Sequence, residues 1–242
     1  LEQEQSVEIF FCALNMIQKL MDCPDVAIYR INKEKYARLF AYSSAKAASM
    51  GNTVYLPDKK SLDEACNENR VYINRSMEKE YPMMAYNVES EDQMEILIML
   101  WSLPFERMTI NETNRLIVIG KLIQTSVRRA DRYLEALSEE RYHSESQILK
   151  ASAFEELVGA YRKASKEKLT EYVLLQIEVE GENEKETVDK FTSMLRESDY
   201  IGNLSDGKLY LLLTNTDLKG CSFVQNKLKQ NGVASSISEE GR

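Results

Sequence analysis

Histidine is almost missing from this 242-residue chain: His143 is the single copy. One imidazole cannot build a histidine-based metal site, and a Ser-His-Asp arrangement would have to run on that ring alone. The four cysteines, Cys12, Cys23, Cys66 and Cys221, lie far apart without CxxC spacing. They read as reduced, mostly buried thiols of a cytosolic protein, not as ligands or disulfides. Nine glycines and four prolines are too few for a disordered chain. No apolar run reaches the roughly 18 residues that span a bilayer. No signal peptide is visible, and a chain opening on Leu1 reads as part of a longer protein. What remains is ordinary globular material, 43% hydrophobic and 29% charged. The net charge of −8, from 31 basic and 39 acidic residues, argues against nonspecific binding to DNA, RNA or an anionic membrane. A small anionic ligand held by a few arginines is still compatible with it.

The first half opens with an amphipathic helix, Glu8 to Met21, stopped at Cys23-Pro24-Asp25. Val26 to Ile31 and Tyr36 to Tyr42 read as strands joined by a turn. Ser43 to Asn52 reads as a loop or short helix. Ser61 with Glu64 forms a capping box opening a short helix, and Val71 to Asn74 a short strand. Pro82 to Val88 and Met94 to Leu103 are strands around the acidic turn Glu89 to Gln93. This order predicts an antiparallel sheet with helices on one face, an α+β module of the sensory type. Thr109 and Glu112 form a second capping box, opening a helix with no obvious breaker for roughly 30 residues. Its apolar stripe is Leu116, Ile119, Ile123, Val127, loosely Tyr133, and Leu137. That stripe needs cover, either from the module's own sheet or from a second copy in a parallel homodimer.

After a polar stretch, Ser138 to Ser146, the second half reads as a helix from Gln147 to about Ala164 and a strand from Thr170 to Glu180. A helix from Glu184 to Leu195 follows, then strands Tyr200 to Leu204 and Lys208 to Thr214 around the tight turn Ser205-Asp206-Gly207. A helix from Asp217 to Gln230 and a strand from Val233 to Ser238 close the chain. The order β-α-β-β-α-β belongs to the ferredoxin-like and nucleotidyl-cyclase class of α+β sandwiches. The expected domains are residues 1–137, with the connecting helix, and 147–242.

One stretch carries chemistry. Arg196-Glu197-Ser198-Asp199 ends a predicted helix, and the hairpin turn follows five residues later. Arg-x-x-Asp alone means little, since roughly one copy is expected by chance in a chain of ordinary composition. Arg128-Arg129-Ala130-Asp131 on the long helix is a second copy. Position separates them: only Arg196 and Asp199 sit in the β-α-β-β frame. Arginine presents a planar fork that bonds guanine O6 and N7 bidentately, and a carboxylate accepts from the guanine N1 and N2 hydrogens. The bland alternative is an exposed Arg-Asp pair worth under about 1 kcal/mol.

This stretch resembles the GGDEF domain of diguanylate cyclases, in which an Arg-x-x-Asp is the inhibitory site for cyclic di-GMP and the hairpin turn the catalytic signature. The signature itself is degenerate here. Ser205 and Asp206 replace the two glycines, Lys208 replaces the acidic fourth position, and Gln176 falls near the metal-binding aspartate. A neutral amide binds Mg²⁺ poorly. A GAF-like element order followed by a degenerate GGDEF domain resembles the PelD family of cyclic di-GMP receptors. That resemblance implies binding at Arg196 and Asp199 without catalytic residues, metal or cofactor. It further implies regulation of Pel-type exopolysaccharide secretion and biofilm formation, with polysaccharide synthase components as partners. The chain would be the cytoplasmic region of a bacterial cell-membrane protein. The family uses a further arginine on the helix after the hairpin, where this chain offers Lys227 and Lys229 as secondary contacts. Two other readings stay open: an unusual diguanylate cyclase, and a structural GAF interaction module.

Overall fold

A computed structural model of the chain describes residues 6–88, 95–144, 146–178, 184–196 and 198–238. It divides into two compact units, Leu1–Arg132 and Tyr133–Arg242. The expected acidic turn, Glu89 to Gln93, and the end of the expected strand at Glu180 lie outside the described residues.

The first unit contains α1 (Ser6–Leu20), β1 (Val26–Ile31), β2 (Tyr36–Tyr42), β3 (Thr53–Tyr55), α2 (Lys60–Asn67), β4 (Tyr72–Ile73), β5 (Met84–Val88), β6 (Glu95–Leu100) and most of α3 (Ile110–Ala136), whose last residues from Tyr133 fall in the second. Its six strands form one antiparallel, GAF-like sheet in the order β3-β2-β1-β6-β5-β4. Helices cover both faces, not one as expected. On one face Ala27, Tyr29, Leu39, Leu97 and Met99 pack with Leu62, Ala65 and Cys66 of α2. On the other, Phe10 and Phe11 of α1 meet Phe40 with ring centroids 4.6 and 5.7 Å apart. The physical reason is legible in the central strands. β1 and β6 run almost continuously apolar, the pattern of strands buried on both sides.

The stripe on α3 is buried over its first half. Leu116, Ile119, Ile123 and Val127 are buried, whereas Tyr133 is exposed and Leu137 half-buried. At Gly120 the helix lies so close to β5 that a Cβ would fall 2.8 Å from Val88 and 2.9 Å from Tyr86. Thr109 Oγ1 accepts from Glu112 N as a cap should (3.4 Å), but the Glu112 carboxylate turns to Arg107 and Arg115, each at 3.1 Å. The expected Ser61 cap is absent: α2 starts at Lys60, behind Lys59, with no side-chain cap.

The second unit contains α4 (Ser138–Arg141), β7 (Ile148–Leu149), α5 (Ala151–Lys166), β8 (Tyr172–Ile177), α6 (Glu184–Asp189), β9 (Tyr200–Asn203), β10 (Leu209–Thr214), α7 (Leu218–Gln230) and β11 (Ser235–Ile237). The sheet order β11-β8-β10-β9-β7 is a ferredoxin-like split β-α-β arrangement with β7 added in parallel at the β9 edge. One face packs against Val188, Phe191, Cys221 and Leu228 from the α6–α7 side. α5 packs on β9 and β8. Two expected helices come out shorter. The one drawn from Gln147 begins at Ala151, because Ile148 and Leu149 are taken into the sheet. The one drawn from Glu184 to Leu195 ends at Asp189, followed by a 3-10 turn, Thr192–Met194. Thr192 Oγ1 donates to the Val188 carbonyl at 2.7 Å, a local bond that competes with helix propagation.

Candidate functional site

Arg196 and Asp199 belong to a turn, not to a helix end as the sequence reading placed them. Leu195 leaves the 3-10 turn in an extended conformation (φ −78°, ψ 152°), and Asp199 N then donates back to Arg196 O at 3.0 Å. The Asp199 carboxylate holds this turn in place. Its Oδ2 accepts from Arg196 N and its Oδ1 from Thr214 N at the end of β10, both at 3.1 Å. Thr214 Oγ1 donates to Ser198 O at 3.0 Å and closes the same junction. Asp199 is therefore a structural anchor as well as an acceptor.

Arg196 is exposed, and its guanidinium meets no hydrogen-bond or ion-pair partner among the described residues. It lines a cleft of about 620 Å³ with Asp199, Thr192, Leu195, Tyr200 and Ile201 on one side of the chain, and Tyr142, Ser146, Gln147 and Leu149 from the segment before α5. That volume lies inside the range, about 300–1,000 Å³, of pockets that take a small-molecule ligand. Tyr142, Gln147 and Tyr200 carry no motif; folding alone delivers them. Lys227 and Lys229 do not line the cleft. Both are exposed on α7, with Lys227 Nζ 4.7 Å from the Phe223 ring centroid. The other Arg-x-x-Asp lies along α3, with Ala130 buried between its charged members.

The hairpin turn is built differently. Three of its backbone N–H groups are taken internally: Ser205 N donates to Glu155 Oε1 of α5 (2.8 Å), Gly207 N to Leu204 O (2.9 Å) and Lys208 N to Asp206 Oδ1 (3.0 Å). Gly207 takes φ +75°, which disfavours any side chain there. Asp206 Oδ2 accepts from the Tyr210 hydroxyl at 2.8 Å. The Lys208 amide chiefly, with the Tyr210 hydroxyl and the Lys208 ammonium, holds the Asp206 carboxyl below the usual carboxylate range. Lys208 Nζ also reaches Gln176 Oε1 at 3.5 Å. A fixed ammonium beside a neutral amide disfavours a divalent cation at that spot. Among the described residues, no three His, Cys, Asp or Glu side chains converge as a ligand set. A second cleft of about 300 Å³ lies beside this turn, lined by Glu155, Val158, Arg162, Leu204, Ser205, Asp206 and Tyr210.

No family model and no curated protein matches the chain. Among solved structures, the chain is similar to PelD. A PelD fragment from Pseudomonas aeruginosa PAO1 aligns at 13% identity with a TM-score of 0.43, over 98% of this chain and 85% of that one. A PelD fragment from Pseudomonas aeruginosa PA14, in complex with cyclic di-GMP, aligns at 12% identity and a TM-score of 0.42, over 98% and 84%. A fragment of a methyl-accepting chemotaxis protein aligns over 54% of this chain and 93% of its own length, at 6% identity and a TM-score of 0.44. All four cysteines are free thiols, three of them buried. Among the described residues, no helix is long and apolar enough to cross a membrane.

Proposed function

We propose that this chain is a cyclic di-GMP receptor without cyclase activity, reading a guanine base of its ligand through Arg196 and Asp199. The observation that carries the reading is an exposed arginine fork without a partner among the described residues, beside a carboxylate, in a cleft of ligand size. Their place ahead of the β9–β10 hairpin is the place of the inhibitory Arg-x-x-Asp in the GGDEF resemblance. The internally bonded turn, with Lys208 against Gln176, supports the absence of cyclase chemistry, because little remains there to hold phosphate or Mg²⁺. In this reading the chain belongs to the cytoplasmic side of a bacterial membrane protein and reports ligand occupancy to Pel-type polysaccharide synthase components.

Calorimetric titration with cyclic di-GMP tests it. Wild-type protein binds, and Arg196→Ala costs about tenfold or more, since one bidentate base contact is worth roughly 1–3 kcal/mol. Arg196→Lys does not rescue, because an ammonium lacks the planar fork, and Arg128→Ala binds like wild type. Incubation with GTP and Mg²⁺ yields no cyclic di-GMP. Absence of wild-type binding, or loss on Arg128→Ala instead of Arg196→Ala, overturns the assignment; turnover abolished by a substitution in the hairpin turn establishes the cyclase reading.

A further inference from the structure

A purine needs two kinds of contact: donors and acceptors for its edge, and a flat surface for its face. Arg196 and Asp199 supply the edge. Only two aromatic rings line the cleft among the described residues, Tyr142 and Tyr200. Tyr200 is half-buried and already engaged, its ring 6.5 Å from Tyr161 at an interplanar angle of 52°, within an aromatic group that includes Tyr172. Tyr142 is 36% exposed, and no ring contact to it is found among the described residues.

Its backbone, by contrast, is well held. Tyr142 forms an antiparallel bridge with Leu149, His143 N donates to Ile148 O at 3.0 Å, and Lys150 N donates to Arg141 O at 2.8 Å. These bonds close a small hairpin. Its second arm, β7, is hydrogen-bonded in parallel to β9, with Ile148 paired to Ile201 and Leu149 to Gly202. Lys150 Nζ adds a bond to Glu139 O at 2.9 Å. The backbone carrying the ring is therefore tied through β7 to β9, the strand that follows the Arg196–Asp199 turn, so that only the ring's own rotamer is left to order on binding.

We infer that Tyr142 is the stacking platform of this cleft, covering the face of the guanine whose edge Arg196 and Asp199 read. The inference rests on the proposed guanine-dinucleotide reading and assigns a contact outside the Arg-x-x-Asp motif. Stacking is indifferent to base identity because every base has a π-face, whereas the arginine fork is specific for guanine. The two residues thus divide the work: Tyr142 sets affinity, and Arg196 sets selectivity.

The test compares Tyr142→Ala, Tyr142→Leu, Tyr142→Phe and Arg196→Ala by calorimetry with cyclic di-GMP and the guanine-free cyclic di-AMP, folding being checked by circular dichroism. Tyr142→Ala and Tyr142→Leu weaken both ligands by about fivefold to a hundredfold and leave their ratio unchanged. Tyr142→Phe binds within about twofold of wild type, since the face is kept. Arg196→Ala lowers affinity and narrows the ratio between the ligands. If Tyr142→Leu folds and binds like wild type while Arg196→Ala loses binding, the platform is refuted and the guanine reading stands. If Tyr142→Phe loses as much as Tyr142→Ala, the hydroxyl is the contact and the stacking assignment falls. If wild-type protein does not bind cyclic di-GMP, or Arg196→Ala has no effect, the guanine reading fails and takes this inference with it.

Discussion

The cleft at Arg196 and the hairpin turn at Ser205–Lys208 are served by neighbouring strands of one sheet, but they differ in what their polar groups are doing. At the turn, the amides of Ser205, Gly207 and Lys208 have intramolecular acceptors, the Asp206 carboxylate accepts from an amide and a phenol, and Lys208 faces Gln176. At the cleft, the carboxylate of Asp199 braces the backbone, while the exposed Arg196 guanidinium meets no partner among the described residues. Binding requires groups that the fold leaves unsatisfied and exposed; a turn that has satisfied itself gains little from a ligand. The difference separates stability from recognition within about ten residues of chain.

Three substitutions sharpen that separation or break it. The largest effect is expected at Asp199, which serves both. Asp199→Ala strands the amides of Arg196 and Thr214 and costs about 1–3 kcal/mol of stability, read by urea unfolding, together with about tenfold or more in cyclic di-GMP affinity. Arg196→Ala shares the second loss only. Equal destabilisation by the two variants would remove the distinction between brace and reader. A smaller effect belongs to the turn: Gly207→Ala places a side chain at φ +75° and costs about 1–2 kcal/mol in the same unfolding experiment, with ligand affinity unchanged. A fall in affinity on Gly207→Ala would show the two sites to be coupled.

The smallest effect is electrostatic. The folded-state pKa of Asp206 is depressed, chiefly by the Lys208 amide, so the group stabilises the fold above its unfolded pKa of about 3.9. That contribution is lost as pH falls through the lower, folded value. Because Asp206 is exposed, solvent screening keeps it well under about 1 kcal/mol. Unfolding free energies of wild type and Asp206→Asn measured across pH 2 to 6 should diverge above the carboxylate range and converge below it, on the order given by these pKa values. A constant gap throughout would assign the effect to lost geometry instead of charge.

Much of the architecture was legible in the residues because it follows from apolar patterning. The continuous VAIYRI and EILIML runs mark central strands, and the β-α-β-β-α-β order of the second unit is read directly from alternation and turn residues. Short strands were harder to see. Thr53–Tyr55 and Ile148–Leu149 have too few residues to show a period and exist because β2 and β9 offer them edges. Ser61 with Glu64 has the spacing of a capping box, yet the helix starts one residue earlier, behind Lys59.

Residue identity by itself determined the chemistry available: Arg196 with Asp199 three residues on, ahead of a hairpin, and a turn whose Ser205, Asp206 and Lys208 depart from the cyclase signature. Only the tertiary structure decided how those groups are used. The Arg196–Asp199 segment became a turn because a backbone amide from β10, fifteen residues later in the chain, reaches the carboxylate. Tyr142 joined the cleft because β7 pairs with β9 across some fifty residues of sequence. The middle of α3 came to lie against β5 at Gly120. Each of these outcomes depends on a long-range contact, and local sequence carries the propensity to make a group available but not the address of the partner it will meet.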